Sequence, residues 1–79
     1  MAGNYTPKEK QFLKRLGKAI KEKRTKEGIS QEKLAEITGL HRTYVGSVER
    51  GERNISAINI KTLADALNCN PSELFQATE

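Results

Sequence analysis

The sequence predicts an all-α fold, a compact bundle of five helices, and three observations predict it. Apolar residues recur at helical spacing along most of the chain. Thr6-Pro7-Lys8-Glu9 and Asn70-Pro71-Ser72-Glu73 each combine a cap, a proline and a glutamate in the order that starts a helix. No convincing strand, internal repeat or low-complexity run is present, and no linker divides the 79 residues, so one domain over 1–79 is the reading.

The first helix starts at the Thr6 cap and places Phe12, Leu13, Leu16, Ala19 and Ile20 on one face before Gly28 stops it. Its other face is lysine. Such a helix can lie on a membrane, but its apolar side is better used as core in so small a domain. Ser30 caps the second helix, and Glu32 sits in the first turn, where a carboxylate suits the helix dipole. A third helix runs from about Arg42 to Arg50, with His41 in the cap position, and ends at Gly51. Glu52-Arg53-Asn54 forms a polar loop. Ile55 and Ser56 lead into a fourth helix with Ile60, Leu63, Ala64 and Leu67 inside, and the fifth puts Leu74 and Phe75 on the core or on a partner.

Residues 30–51 carry most of the functional information. Leu34, Ala35, Ile37, Leu40, Val45 and Val48 occupy the positions that face inward when two short helices cross near a right angle. Ala35 is small where the helices press together, and Gly39 takes the left-handed turn between them. This layout is that of a DNA-binding helix-turn-helix. Val45 and Val48 turn inward, so Arg42, Thr43 and Ser47 are expected on the outward face. An arginine there can donate two bonds to guanine, and a threonine offers a hydroxyl to a base and a methyl to thymine.

Composition agrees. Hydrophobic residues make up 35% and charged residues 30%, as in a soluble globular domain. The net charge is +4 and the pI about 9.4, in the range of domains that bind nucleic acid. Residues 1–30 hold nine Lys/Arg against three Glu, while residues 55–79 hold one Lys against three acids. That asymmetry points to one face for phosphate and another for a protein partner. No apolar signal segment follows Met1 and no stretch is long enough to span a membrane. One cysteine and one histidine exclude an internal disulfide and a metal site, which fits a reducing cytoplasm. Cys69 reads as a small buried hydrophobe.

The runs Ser30-Gln31-Glu32-Lys33-Leu34-Ala35, Gly39-Leu40 and Val48-Glu49-Arg50-Gly51 resemble the helix-turn-helix of the XRE family, which includes the Cro and C1 phage repressors. Arg42-Thr43-Tyr44 at the start of the recognition helix is similar to the controller proteins of restriction–modification systems. The resemblance runs from about Phe12 to Phe75 and implies a lambda-repressor-like DNA-binding domain, acting as a homodimer in a bacterial or phage cytoplasm. It implies base reading by Arg42, Thr43 and Ser47, with Arg53 the residue after the recognition helix best placed to reach a base. Gln31 is implied at a phosphate, and Arg50 and Asn54 are placed for backbone contact. Tyr44 either meets the DNA backbone or is a half-buried helix tyrosine, and His41 is as readily a cap as a DNA contact. Arg24 and Glu49 match an ion pair that holds the recognition helix. Glu32 and Glu36, four residues apart, match acidic positions that touch RNA polymerase in activating members.

Three function classes follow. The leading one is a dimeric, sequence-specific transcription regulator of double-stranded DNA, with residues 55–79 as its dimerisation region. There Ile55, Ile58, Leu74 and Phe75 are expected to offer more apolar surface than so small a domain buries alone. The second is an antitoxin or adaptor that uses the fold for protein binding; a phage-type repressor is an alternative within the first class. An enzyme is disfavoured: there is no Gly-rich phosphate loop and no room for a pocket, so no cofactor, metal or small-molecule ligand is expected.

Overall fold

Each of the five helices starts on a polar or histidine cap, and the caps set where the chain turns. The computed structural model describes residues 4–79; the residues directly after Met1, read above as carrying no signal segment, lie outside this range. α1 (Pro7–Lys26) opens on a capping box, with Thr6 Oγ1 accepting from the Glu9 amide at 3.2 Å and the Glu9 carboxylate accepting from the Thr6 amide at 2.9 Å. α2 (Gln31–Thr38) is capped by Ser30, and α3 (Arg42–Glu49) by His41, whose Nδ1 accepts from the Thr43 amide at 3.2 Å. α4 (Ala57–Ala66) starts on Ser56, and α5 (Pro71–Gln76) follows Asn70, whose amide donates to Glu73 at 2.8 Å. No helix of the described residues is long and apolar enough to cross a membrane.

Between α2 and α3 the chain reverses in three residues. Gly39 adopts φ of 76°, a conformation that is strained for side chains with a Cβ. α3 then lies against both α2 and α1. The approach to α1 is close because Gly17 has no side chain: a Cβ there would lie 2.3 Å from the Val48 carbonyl oxygen. The core that results is fully closed around Leu16, Ile20, Leu34, Val45, Val48, Leu63, Leu67 and Leu74. It buries α3 from Val45 to Glu49 and leaves the first turn, with Arg42 and Thr43, to solvent.

Several sequence expectations are corrected by this packing. Ile37, placed inward by its spacing, is 51% exposed over a shallow groove between α2 and α4. Thr38 is half-buried beside it, its hydroxyl donating back to the Leu34 carbonyl at 2.8 Å. Leu40 is only half-buried. Phe12 sits at the edge of α1 and stacks on Phe75 with ring centroids 6.3 Å apart, so both rings stay partly exposed. Leu74 belongs to the core, as does Ile55, which packs in ahead of α4. Cys69 is half-buried, and desolvation raises its thiol pKa.

Candidate nucleic-acid interface

The solvent face of α3 is built from its first turn. Arg42 and Thr43 are exposed, and neither side chain is engaged in a hydrogen bond among the described residues. His41 is exposed just before them, so the helix presents a guanidinium, a hydroxyl and an imidazole together at its N-terminal end. This grouping follows from the cap: Val45 and Val48 anchor the inner face, which leaves the opening residues outward.

Behind this face α3 is held rigidly. Arg24 Nε donates to Glu49 Oε2 at 2.6 Å and Arg24 Nη2 to Oε1 at 3.1 Å, a two-pronged pair with both side chains largely out of water. The third arm, Nη1, donates to the Ile29 carbonyl at 2.9 Å and ties the α1–α2 turn into the same cluster. The guanidinium pKa is raised by its hydrogen bond to Glu49. Gln31 enters from α2, donating from Nε2 to Glu49 Oε1 at 2.9 Å. One carboxylate therefore receives bonds from α1 and α2 and fixes the end of α3 against both. Gln31 is half-buried, and its second amide proton makes no bond among the described residues.

Beyond α3 the loop is charged. Arg50 pairs with Glu52 through two bonds, of 2.9 Å and 3.2 Å, and this pair is exposed. The pair is a weak barrier to exchange, because both groups are well solvated and a phosphate oxygen can replace the carboxylate. Arg53 folds back over the helix, with its guanidinium carbon 5.9 Å from the Tyr44 ring centroid. Asn54 is exposed beside Tyr5, Glu9 and Phe12 of the α1 start.

One site residue differs from the sequence reading. Ser47, expected on the outward face, is 4% exposed. Its hydroxyl donates to the Tyr44 carbonyl at 2.8 Å and accepts from Arg53 Nε at 3.1 Å. A helical wheel sets Ser47 roughly 130° from the centre of the Val45–Val48 face, but a wheel does not include a later loop laid across a small residue. Ser47 as it stands cannot reach a base edge. Tyr44 is half-buried, and its hydroxyl accepts from Asn59 Nδ2 of α4 at 3.1 Å, leaving the phenolic proton to donate elsewhere. Asn59 is not recognisable as a partner from spacing, because it lies across the loop on α4.

On α2, Glu36 is exposed and accepts from Lys33 Nζ at 2.8 Å, which lowers its carboxyl pKa. Glu32 is exposed on the same helix.

This geometry matches known proteins. A family model described as helix-turn-helix covers residues 20–74. The control protein C.SmaI of Serratia marcescens is 49% identical over 60 residues, which span 76% of this chain and 71% of that protein. The solved restriction-modification controller protein C.AhdI from Aeromonas hydrophila is 54% identical and superimposes with a TM-score of 0.78, covering 80% of this chain and 96% of its own. Another controller protein, C.Esp1396I, solved as a tetramer with its natural 35 base-pair operator, is 28% identical with a TM-score of 0.75, over 85% of this chain and 88% of that one. The exposed first turn of α3, the Arg24–Glu49 clamp and these matches lead to one conclusion: the chain belongs to the XRE-type helix-turn-helix family of DNA-binding regulators and is similar to the restriction–modification controller proteins within it.

Proposed function

We propose that the protein is a restriction–modification controller that binds a palindromic operator as a homodimer and regulates its own promoter. The observation that carries this is the α3 start, where Arg42 and Thr43 stand unengaged and outward on a helix clamped from behind by Glu49. In this reading Arg42 donates to a guanine edge, Thr43 contacts a neighbouring base, and Arg53 adds a further base contact. Gln31, Arg50, Asn54, His41 and the phenolic proton of Tyr44 take phosphates, fixing register without reading sequence.

The dimer uses residues 55–79. Ile55 and Leu74 are core, so the apolar contact falls to Ile58, 77% exposed on α4, and to Phe75. A domain of this size buries a modest share of its surface alone, which favours a second copy. Two recognition helices would then stand about 34–36 Å apart. The operator-bound tetramer of C.Esp1396I supports oligomeric binding as a mode open to this fold. Glu32 and Glu36 would form an acidic patch for RNA polymerase beside the DNA; the plainer account is a favourable helix start and a solvated surface pair.

Footprinting on the DNA upstream of the protein's own coding sequence tests the reading. Two-fold symmetric protection supports it, and no protection at protein concentrations that shift other duplexes rejects it.

A further inference from the structure

Arg53 rests on Ser47 and on the Tyr44 ring, and Asn59 bonds to Tyr44 in turn, so the contacts cross α3, the loop after it and α4. Ser47 has one hydroxyl proton, and it is committed to the Tyr44 carbonyl. The oxygen therefore faces Arg53 as an acceptor only, and Arg53 Nε fills it at 3.1 Å. The Tyr44 ring lies under the same guanidinium, 5.9 Å from its carbon. That ring is pinned in turn by Asn59 Nδ2, which donates to the Tyr44 hydroxyl at 3.1 Å. Among the described residues, Arg53 Nη1 and Nη2 make no bond, so the fork end of the side chain is left to solvent. An arginine on a loop ordinarily has several free rotors, and ordering them opposes binding. Here the inner nitrogen and one face are already engaged.

Resting on the DNA-binding reading above, we infer that Ser47 and Tyr44, with Asn59 behind them, are positioning residues that hold Arg53 with its outer nitrogens presented to DNA. Ser47 contributes to specificity without touching a base. Its burial, which removes it as a reader, is what the positioning role requires. Asn59 makes the start of α4 part of the same unit, so Arg53 is set relative to α3 and α4 together.

A double-mutant cycle tests this, using a duplex that wild-type protein selects from a randomised pool and an unselected duplex as reference. S47A should weaken binding to the selected duplex about two- to tenfold, and N59A should act in the same direction. R53A should lose about five- to 100-fold. In the R53A background S47A should have no further effect, and the discrimination lost by S47A should fall at the base pair where R53A loses it. Thermal unfolding of S47A near wild type excludes a general loss of fold. If the S47A and R53A losses multiply, or S47A loosens a different base pair, the positioning role is overturned while the regulator reading stands. If the wild type selects no duplex from the pool, both fall.

Discussion

At the residue scale, Glu49 decides most. It is buried, accepts from two helices and has its charge balanced by Arg24 alone. R24M would leave that carboxylate with an amide partner only, an uncompensated buried charge costing about 3–5 kcal/mol. Thermal melting should show it as a drop of roughly 4–8 °C per kcal/mol for a domain this small. A variant that melts near wild type would mean the pair is not structural. Gly17 is similarly constrained: G17A drives a methyl into the Val48 carbonyl, so α1 and α3 must separate, at a cost of about 1–3 kcal/mol or more. These two residues differ in how they read from sequence. Arg24 and Glu49 were legible as a pair because they fall at matching positions of a known motif. Gly17 lies in mid-helix, where only the packed neighbour explains it. Ser47 was misread for the same reason, since the residue that covers it comes six positions later and from a loop.

At the element scale, the helix starts were the clearest signal in the chain. Pro after a cap, followed by Glu, is a local pattern that water and tertiary contacts do not override, and both Thr6 and Asn70 fulfil it. Faces were less legible than starts. On α2, Leu34 and Ala35 turn inward while Ile37 does not, because an eight-residue helix has too few turns for spacing to fix its rotation. The α5 cap carries a pH dependence. Hydrogen bonds from the Asn70 amide first, then from Lys23, hold the Glu73 carboxyl below its usual range. A carboxylate lowered in the folded state stabilises it above the unfolded pKa, and that contribution is lost as pH falls through the folded value. Wild type should therefore outmelt E73Q at neutral pH, with the gap closing in acid. A gap that is constant with pH would contradict the cap. Glu32 and Glu36 on α2 give a separate test: E32Q/E36Q should keep operator affinity and lose promoter activation if the acidic patch acts, and full activation would reduce it to a surface pair.

At the scale of the whole molecule, charge and apolar exposure divide the surface. Nine of the 14 Lys/Arg fall in residues 1–30, and half of the α1 residues outside its buried face are lysine. The strongest exposed hydrophobe, Ile58, lies on α4 in the acidic last third. I58D should reduce association and operator affinity together without lowering the melting temperature of the monomer; sedimentation that shows an unchanged oligomer would place the dimer contact elsewhere. Composition alone points to the last third as the place for a partner face. It could not show that Ile55 and Leu74 are used up by the core, because that depends on how α4 and α5 meet. The account turns on the first turn of α3 reading bases, and its most direct measurement is the ratio of affinity for the selected duplex to that for random duplex in wild type and R42A. The account predicts a loss of about 1–3 kcal/mol on the selected duplex, confined to one base pair of each half-site, with random-duplex binding nearly unchanged. An R42A protein that keeps the wild-type ratio would contradict it.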